Sequence, residues 1–89
     1  MDLESKASKL IYDEMGRQDI KWGKRYTQHD SIWLTILVEE VGEAAECILQ
    51  NEKTIYDLES EVTQVAAVAQ QWLMAILDSK RHFGFEEHE

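Results

Sequence analysis

No proline occurs anywhere in the 89 residues, and glycine stands only at positions 16, 23, 42 and 84. Little in such a chain interrupts a helix. Apolar residues recur at spacings of three and four, the period of an amphipathic helix rather than a strand. The first run is Leu3, Ala7, Leu10, Ile11 and Met15, with Asp2 available as a cap. This helix is expected to fade between Gly16 and Asp19, leaving residues 20–29 as a loop rich in bases and aromatics. A second helix is expected from Asp30 as N-cap to about Gln50, with Trp33, Leu37, Val41, Ala44 and Ile48 as its inner stripe. Asn51, Glu52 and Lys53 are too few to let the next helix do anything but return antiparallel. That helix starts near Thr54, with Asp57 three residues on as an imperfect capping box. Its stripe is Leu58, Val62, Val65, Ala69, Trp72, Leu73 and Ile76. The valine-rich stretch 62–69 has strand character, but the helical spacing persists for about six turns and decides for helix. Residues 83–89 read as a frayed, solvated tail. The expected fold is an all-α antiparallel bundle of about three helices in a single domain over residues 1–89.

So short a chain buries little apolar surface, and Cys47, its one cysteine, cannot form an internal disulfide. Completion by oligomerisation, as a homodimer or homotetramer, is the expected remedy. The N-terminus pairs no basic segment with an apolar run, and the longest strictly apolar run, Val65 to Ala69, is too short to span a bilayer. A cytoplasmic protein with no membrane partner is expected. The net charge of -9 would repel the phosphates of DNA or RNA, which disfavours a nucleic-acid partner.

Charge is concentrated in two places. Bases gather at Arg17, Lys21, Lys24 and Arg25, and acids at Glu39, Glu40, Glu43 and Glu46. On a wheel of about 100° per residue, Glu40 lies about 20° from Trp33 and 40° from both Ile36 and Ala44, at the edge of the apolar stripe. Glu43 follows one turn on. Glu61, on the third helix, projects among Val65, Val68 and Trp72. Two antiparallel helices carrying these side chains would bring three carboxylates together at low dielectric. Protons, basic side chains or a metal ion must then neutralise them. Oxygen-only ligands favour a hard cation such as Mg²⁺ or Mn²⁺. A solvated acidic face is the competing reading of the same pattern. The three histidines, His29, His82 and His88, offer no ligand spacing, and no HExxH, CxxC or glycine-rich phosphate loop is present.

The stretch from Trp33 to Glu46, WLTILVEEVGEAAE, resembles the MazG-type all-α nucleoside triphosphate pyrophosphohydrolases, whose motif is EExxE followed at a distance by ExxD. Glu39, Glu40 and Glu43 match the first half in full. Glu61 matches the start of the second half, and Gln64 stands where the family has aspartate. Lys21-Trp22-Gly23 upstream and Val65 to Ala69 downstream are similar to the short phage- and integron-type members, so the resemblance covers about residues 15–78. It implies Mg²⁺-dependent hydrolysis of nucleoside triphosphates to monophosphate and pyrophosphate. It further implies Glu40, Glu43, Glu61 and position 64 as metal ligands and Glu39 as the residue that orients or deprotonates water. An amide at 64 can coordinate a cation but brings no charge. Phosphoryl chemistry needs cations around the substrate. Arg17, Lys21, Lys24 and Arg25 are therefore candidate clamps for the triphosphate, although a loop balancing local acids reads the same way. Trp22 and Trp33 are candidates to stack on the base, with core packing an equal alternative for Trp33. A weakened nucleotide-binding or regulatory relative, and a purely structural helical interaction protein, are the rival readings.

Overall fold

The computed structural model describes residues 1–82, and side chains as far as Lys80; the tail expected over 83–89 lies outside the described residues. Three helices follow in order: α1 (Leu3–Trp22), α2 (Asp30–Leu49) and α3 (Ile55–His82), with no strand among the described residues. Residues 62–69 are helical, as the spacing predicts. No helix of the described residues is long and apolar enough to cross a membrane.

Local chemistry accounts for the helix ends. Asp2 caps α1, its carboxylate accepting from the Ser5 amide at 2.7 Å. The expected fading at Gly16 does not occur: α1 continues to Trp22. One mid-helix glycine costs only about 1 kcal/mol, and Met15 and Gln18 on either side of it are buried, which holds the turn. The stop comes instead at Gly23, whose φ of 76° lies where side chains are disfavoured. His29 rather than Asp30 is the N-cap of α2. Asp30 has a different duty, accepting the indole N–H of Trp72 on α3 at 2.9 Å. The start of α3 is a reciprocal cap. The Thr54 amide donates to Asp57 at 2.7 Å, and the Asp57 amide donates to the Thr54 hydroxyl at 3.3 Å.

Helix α3 lies in the middle, packed against both α2 and α1, while α1 and α2 do not pack on each other. The core is small: Trp33, Val68 and Ala75, with Tyr26, Ile36, Leu37 and Trp72 against it. The inner faces are rotated from the expected stripes. On α2, Cys47 is buried and Glu40 half-buried, whereas Val41 and Ile48 are 50% and 69% exposed. On α3, Leu58, Val65 and Trp72 turn inward as expected, but Val62, Ala69, Leu73 and Ile76 do not. Each helix is apolar over a wider arc than one neighbour covers. The surplus forms a second stripe, Leu34, Val38, Val41 and Ile48 on α2 and Val62, Leu73, Ile76 and Leu77 on α3. The α2 stripe lies about 80–160° round from Glu40 and the α3 stripe about 60–160° round from Glu61, in the same sense. Because the helices are antiparallel, equal rotations from their facing residues lead to the same side of the hairpin. One broad face of α2–α3 is thus apolar and uncovered, and α1 occupies the other.

Candidate metal centre and cleft

Between α2 and α3 the inward positions one to two turns beyond the core are carboxylates. Glu40 and Glu43 descend from α2 and Glu61 rises from α3, and one carboxylate oxygen of each lies within 4.8 Å of the others. Glu40 and Glu61 are half-buried and Glu43 is exposed. Burial pushes Glu40 above the usual carboxylate range, and the charges of Glu43, Glu61, Glu14 and Glu39 push it further. Glu61 is raised by burial first, then by the charge of Glu43 and a hydrogen bond with it. The Oε2 atoms of Glu40 and Glu61 are buried without any hydrogen-bond partner. Orphaned anionic oxygens are costly, and that cost falls when a cation takes them up. Carboxylate oxygens alone suit a hard divalent cation.

Gln64 stands one turn beyond Glu61 and lines the same space as Glu40 and Glu43. Its Nε2 donates to the Ser60 hydroxyl at 3.3 Å, so its carbonyl oxygen is the atom it can offer a cation. Glu39 is exposed and outside the three-carboxylate group, although its charge reaches Glu40.

Because α1 and α2 do not touch, a cleft of about 560 Å³ opens between them on the acidic side of the hairpin. Three of the four expected bases line it: Arg17, Lys21 and Arg25. Lys24 is exposed and does not, because the longer α1 carries the chain past Lys21 before the loop begins. Arg17 is held by Glu14 through two hydrogen bonds of 2.9 and 2.6 Å, and the charge of Glu40 reaches it. That arginine, first among the causes, holds the Glu14 carboxyl below the usual range. Trp22 lines the cleft, 59% exposed, with the Lys21 ammonium 4.8 Å from its ring centre. Trp33 is a core residue instead, 1% exposed with the Arg25 guanidinium over its ring at 4.9 Å. No face of that indole is left for a ligand, so of its two expected roles the packing one is realised.

Two lining residues escaped the sequence reading, Gln18 and Gln28. Gln18 is buried, donating to Glu14 at 2.9 Å and accepting from Arg25 at 3.5 Å. Continuing the α1 stripe one turn past Met15 would have found it. Gln28 sits in the loop, where no periodicity marks it. Compared with known protein families, with curated proteins and with solved structures, the chain matches none.

Proposed function

We propose that this chain is a Mg²⁺-dependent nucleoside triphosphate pyrophosphohydrolase of the MazG type. The observation that carries the reading is the convergence of Glu40, Glu43 and Glu61 from two helices beside a cleft whose other wall is basic. The two buried, unpartnered carboxylate oxygens are the test of fit, and they accept a hard cation. Glu40, Glu43 and Glu61 would hold it, with the Gln64 carbonyl as a neutral fourth donor. Bound there, Mg²⁺ supplies positive charge against the phosphates and acidifies coordinated water. The protein's own contribution is positioning. Arg17, Lys21 and Arg25 offset the charge of the triphosphate, and the open face of Trp22 suits an aromatic ring. Water adds to the α-phosphorus and the bond from that phosphorus to the bridging oxygen breaks, leaving pyrophosphate and the nucleoside monophosphate. Glu39 accepts the water's proton. It is exposed and lies about 40° from Glu43 around α2, beside the residues that line the cleft.

The direct test is product analysis across a panel of ribo- and deoxynucleoside triphosphates with Mg²⁺. Equimolar monophosphate and pyrophosphate are expected. Nucleotide binding without turnover would favour the regulatory relative, and neither a stoichiometric Mg²⁺ site nor nucleotide binding would leave only a structural helical protein. Gln64→Leu should weaken Mg²⁺ binding and turnover together, whereas Gln64→Asp should tighten Mg²⁺ at pH 8. A Gln64→Leu protein equal to wild type in both assays removes residue 64 from the ligand set.

The same proposal includes a second copy of the chain over the uncovered face of α2–α3. Leu34, Val38, Val41, Val62 and Leu73, all at least half exposed, supply the apolar contact. Two such hairpins face to face make a four-helix bundle with two-fold symmetry. Sedimentation should give about twice or four times 10.4 kDa, and Val41→Glu should lower that mass or unfold the chain. A wild-type monomer with full helicity would exclude it.

A further inference from the structure

Helix α1 buries a polar residue in the middle of its apolar stripe. On the wheel Gln18 lies about 20° from Ile11 and about 60° from Met15, and it is 6% exposed. Leucine or methionine would suit a helix equally well there and would take no polar group out of water. The amide instead has both of its ends engaged. Its Nε2 donates to Glu14 at 2.9 Å, and its Oε1 accepts from Arg25 at 3.5 Å. Among side chains of this length an amide alone can do both. An ionised glutamate could not donate to Glu14, and a lysine could not accept from Arg25.

Through Gln18 two arginines of the cleft belong to one network. Glu14 accepts from Arg17 at 2.9 and 2.6 Å as well as from the amide. Arg25, two residues past Gly23, comes from the loop. Gln18 meets its guanidinium on one side, and the Trp33 ring centre lies 4.9 Å from its central carbon. Both arginines line the cleft. Glu14 does not; it lines a separate groove with Leu10 and Tyr56, and Arg17 stands between the two spaces. A long cationic side chain loses rotamer freedom when it grips an anion, and one held in place beforehand loses less.

We propose that Gln18 and Glu14 are positioning residues that set Arg17 and Arg25 as one preorganised clamp for the phosphates of the bound nucleotide. This rests on the nucleotide-hydrolysing function proposed above and assigns its clamp the residues that hold it. Neither residue touches the substrate; each acts through an arginine. The gain applies to ground state and transition state alike, so it is read in KM rather than in kcat.

The experiment compares wild type, Glu14→Gln, Gln18→Met, Arg25→Ala and the double variant Gln18→Met/Arg25→Ala. KM and kcat are measured on nucleoside triphosphates, and melting is followed without ligand. Calorimetry with inorganic tripolyphosphate and Mg²⁺ reads the clamp without base or turnover. Glu14→Gln sets two effects against each other. Removing a negative charge near an anion tightens its binding if charge alone counts. Releasing Arg17 should instead weaken tripolyphosphate and raise KM by about 3-fold or more. Glu52→Gln, which removes the same charge in the hairpin turn, should follow wild type. Gln18→Met should lose about 3- to 10-fold in the same two quantities, with kcat within about 2-fold of wild type and no fall in melting temperature. The double variant should lose less than the product of its single losses, since both act on Arg25. Tighter or unchanged binding in Glu14→Gln overturns the assignment, as do losses that simply multiply in the double variant. If Gln18→Met does not fold, Glu14→Gln decides alone. Should wild type release no pyrophosphate, the hydrolase reading fails and tripolyphosphate binding judges the clamp. A loss in Glu14→Gln and Gln18→Met then sustains it; equal affinities, or no binding by wild type, reject it.

Discussion

Along the α2–α3 interface the inward residues change character part-way. Toward the start of α2, Trp33 meets Val68, Trp72 and Ala75, and Trp33 and Val68 are each 1% exposed. Toward the hairpin turn, past Ile36 and Leu37 on α2 and Val65 on α3, the inward side chains include Glu40 and Glu61, each with an orphaned oxygen. Backbone, helix period and crossing are shared, so the contrast belongs to the side chains alone. The first end gains stability by excluding water. The second loses stability by gathering like charges, and the fold tolerates this because the first end and the reciprocal cap hold the hairpin together. A site that opposes the packing of its own helices is a common signature of function.

The contrast breaks most severely at the apolar end. Trp33→Ala should cost about 3–5 kcal/mol, read by denaturant melts, and in so small a core this approaches complete unfolding. A loss under about 1 kcal/mol would mean that the core does not hold the hairpin. At the acidic end the same kind of measurement should give the reverse. Glu61→Gln should cut pyrophosphate release by about 100-fold or more while leaving the helices folded, as followed by circular dichroism. Full activity in this variant would dissolve the carboxylate site. Smaller again, and opposite in sign to the tryptophan, Glu40→Gln should raise stability without Mg²⁺ by up to about 1 kcal/mol, since one of the like charges is gone. It should also lose most of the Mg²⁺-dependent rise in melting temperature that wild type shows.

The smallest effect comes from α1, where a carboxylate is already neutralised. Glu14 bonds Arg17 and Gln18, and its folded pKa lies below the ordinary value of 4.5. Ionised Glu14 therefore stabilises the fold above that pH, and the contribution is lost as pH falls through the depressed value. Arg17 is more than half exposed, so solvent screens the pair and a few tenths of a kcal/mol are expected. Melts of Glu14→Gln between pH 6 and 3 should show a shallower acid loss than wild type. Parallel curves would show that the pair contributes nothing.

Much of this was legible in the residues. Helix spacing placed α2 and α3, and the wheel alone brought Glu40, Glu43 and Glu61 together, because their angle to Trp33 and Val65 follows from the period. The end of α1 was not legible, since a glycine weighs against helix locally while the buried Met15 and Gln18 that override it act through α3. Nor could the sequence choose which apolar arc meets which neighbour. Val41 and Cys47 are both apolar, and only the packed hairpin shows that Cys47 faces in. Gln28 lies in a loop with no repeating pattern, so nothing short of coordinates places it in the cleft.

The turn between α2 and α3 carries one more implication. Glu43 lies seven residues before the C-cap Gln50, and Glu61 seven residues after Thr54. Each is thus about 10.5 Å, or two helical turns, from its end of the turn, and this equality sets the two carboxylates level. The span from 43 to 61 works as a caliper. One residue added to either leg would swing that leg's glutamate about 100° away from the other, and a whole turn removed would keep its direction but lower it by about 5 Å. Related chains that retain the site should therefore vary in length before residue 40 or beyond residue 64, and keep the two legs of the hairpin equal.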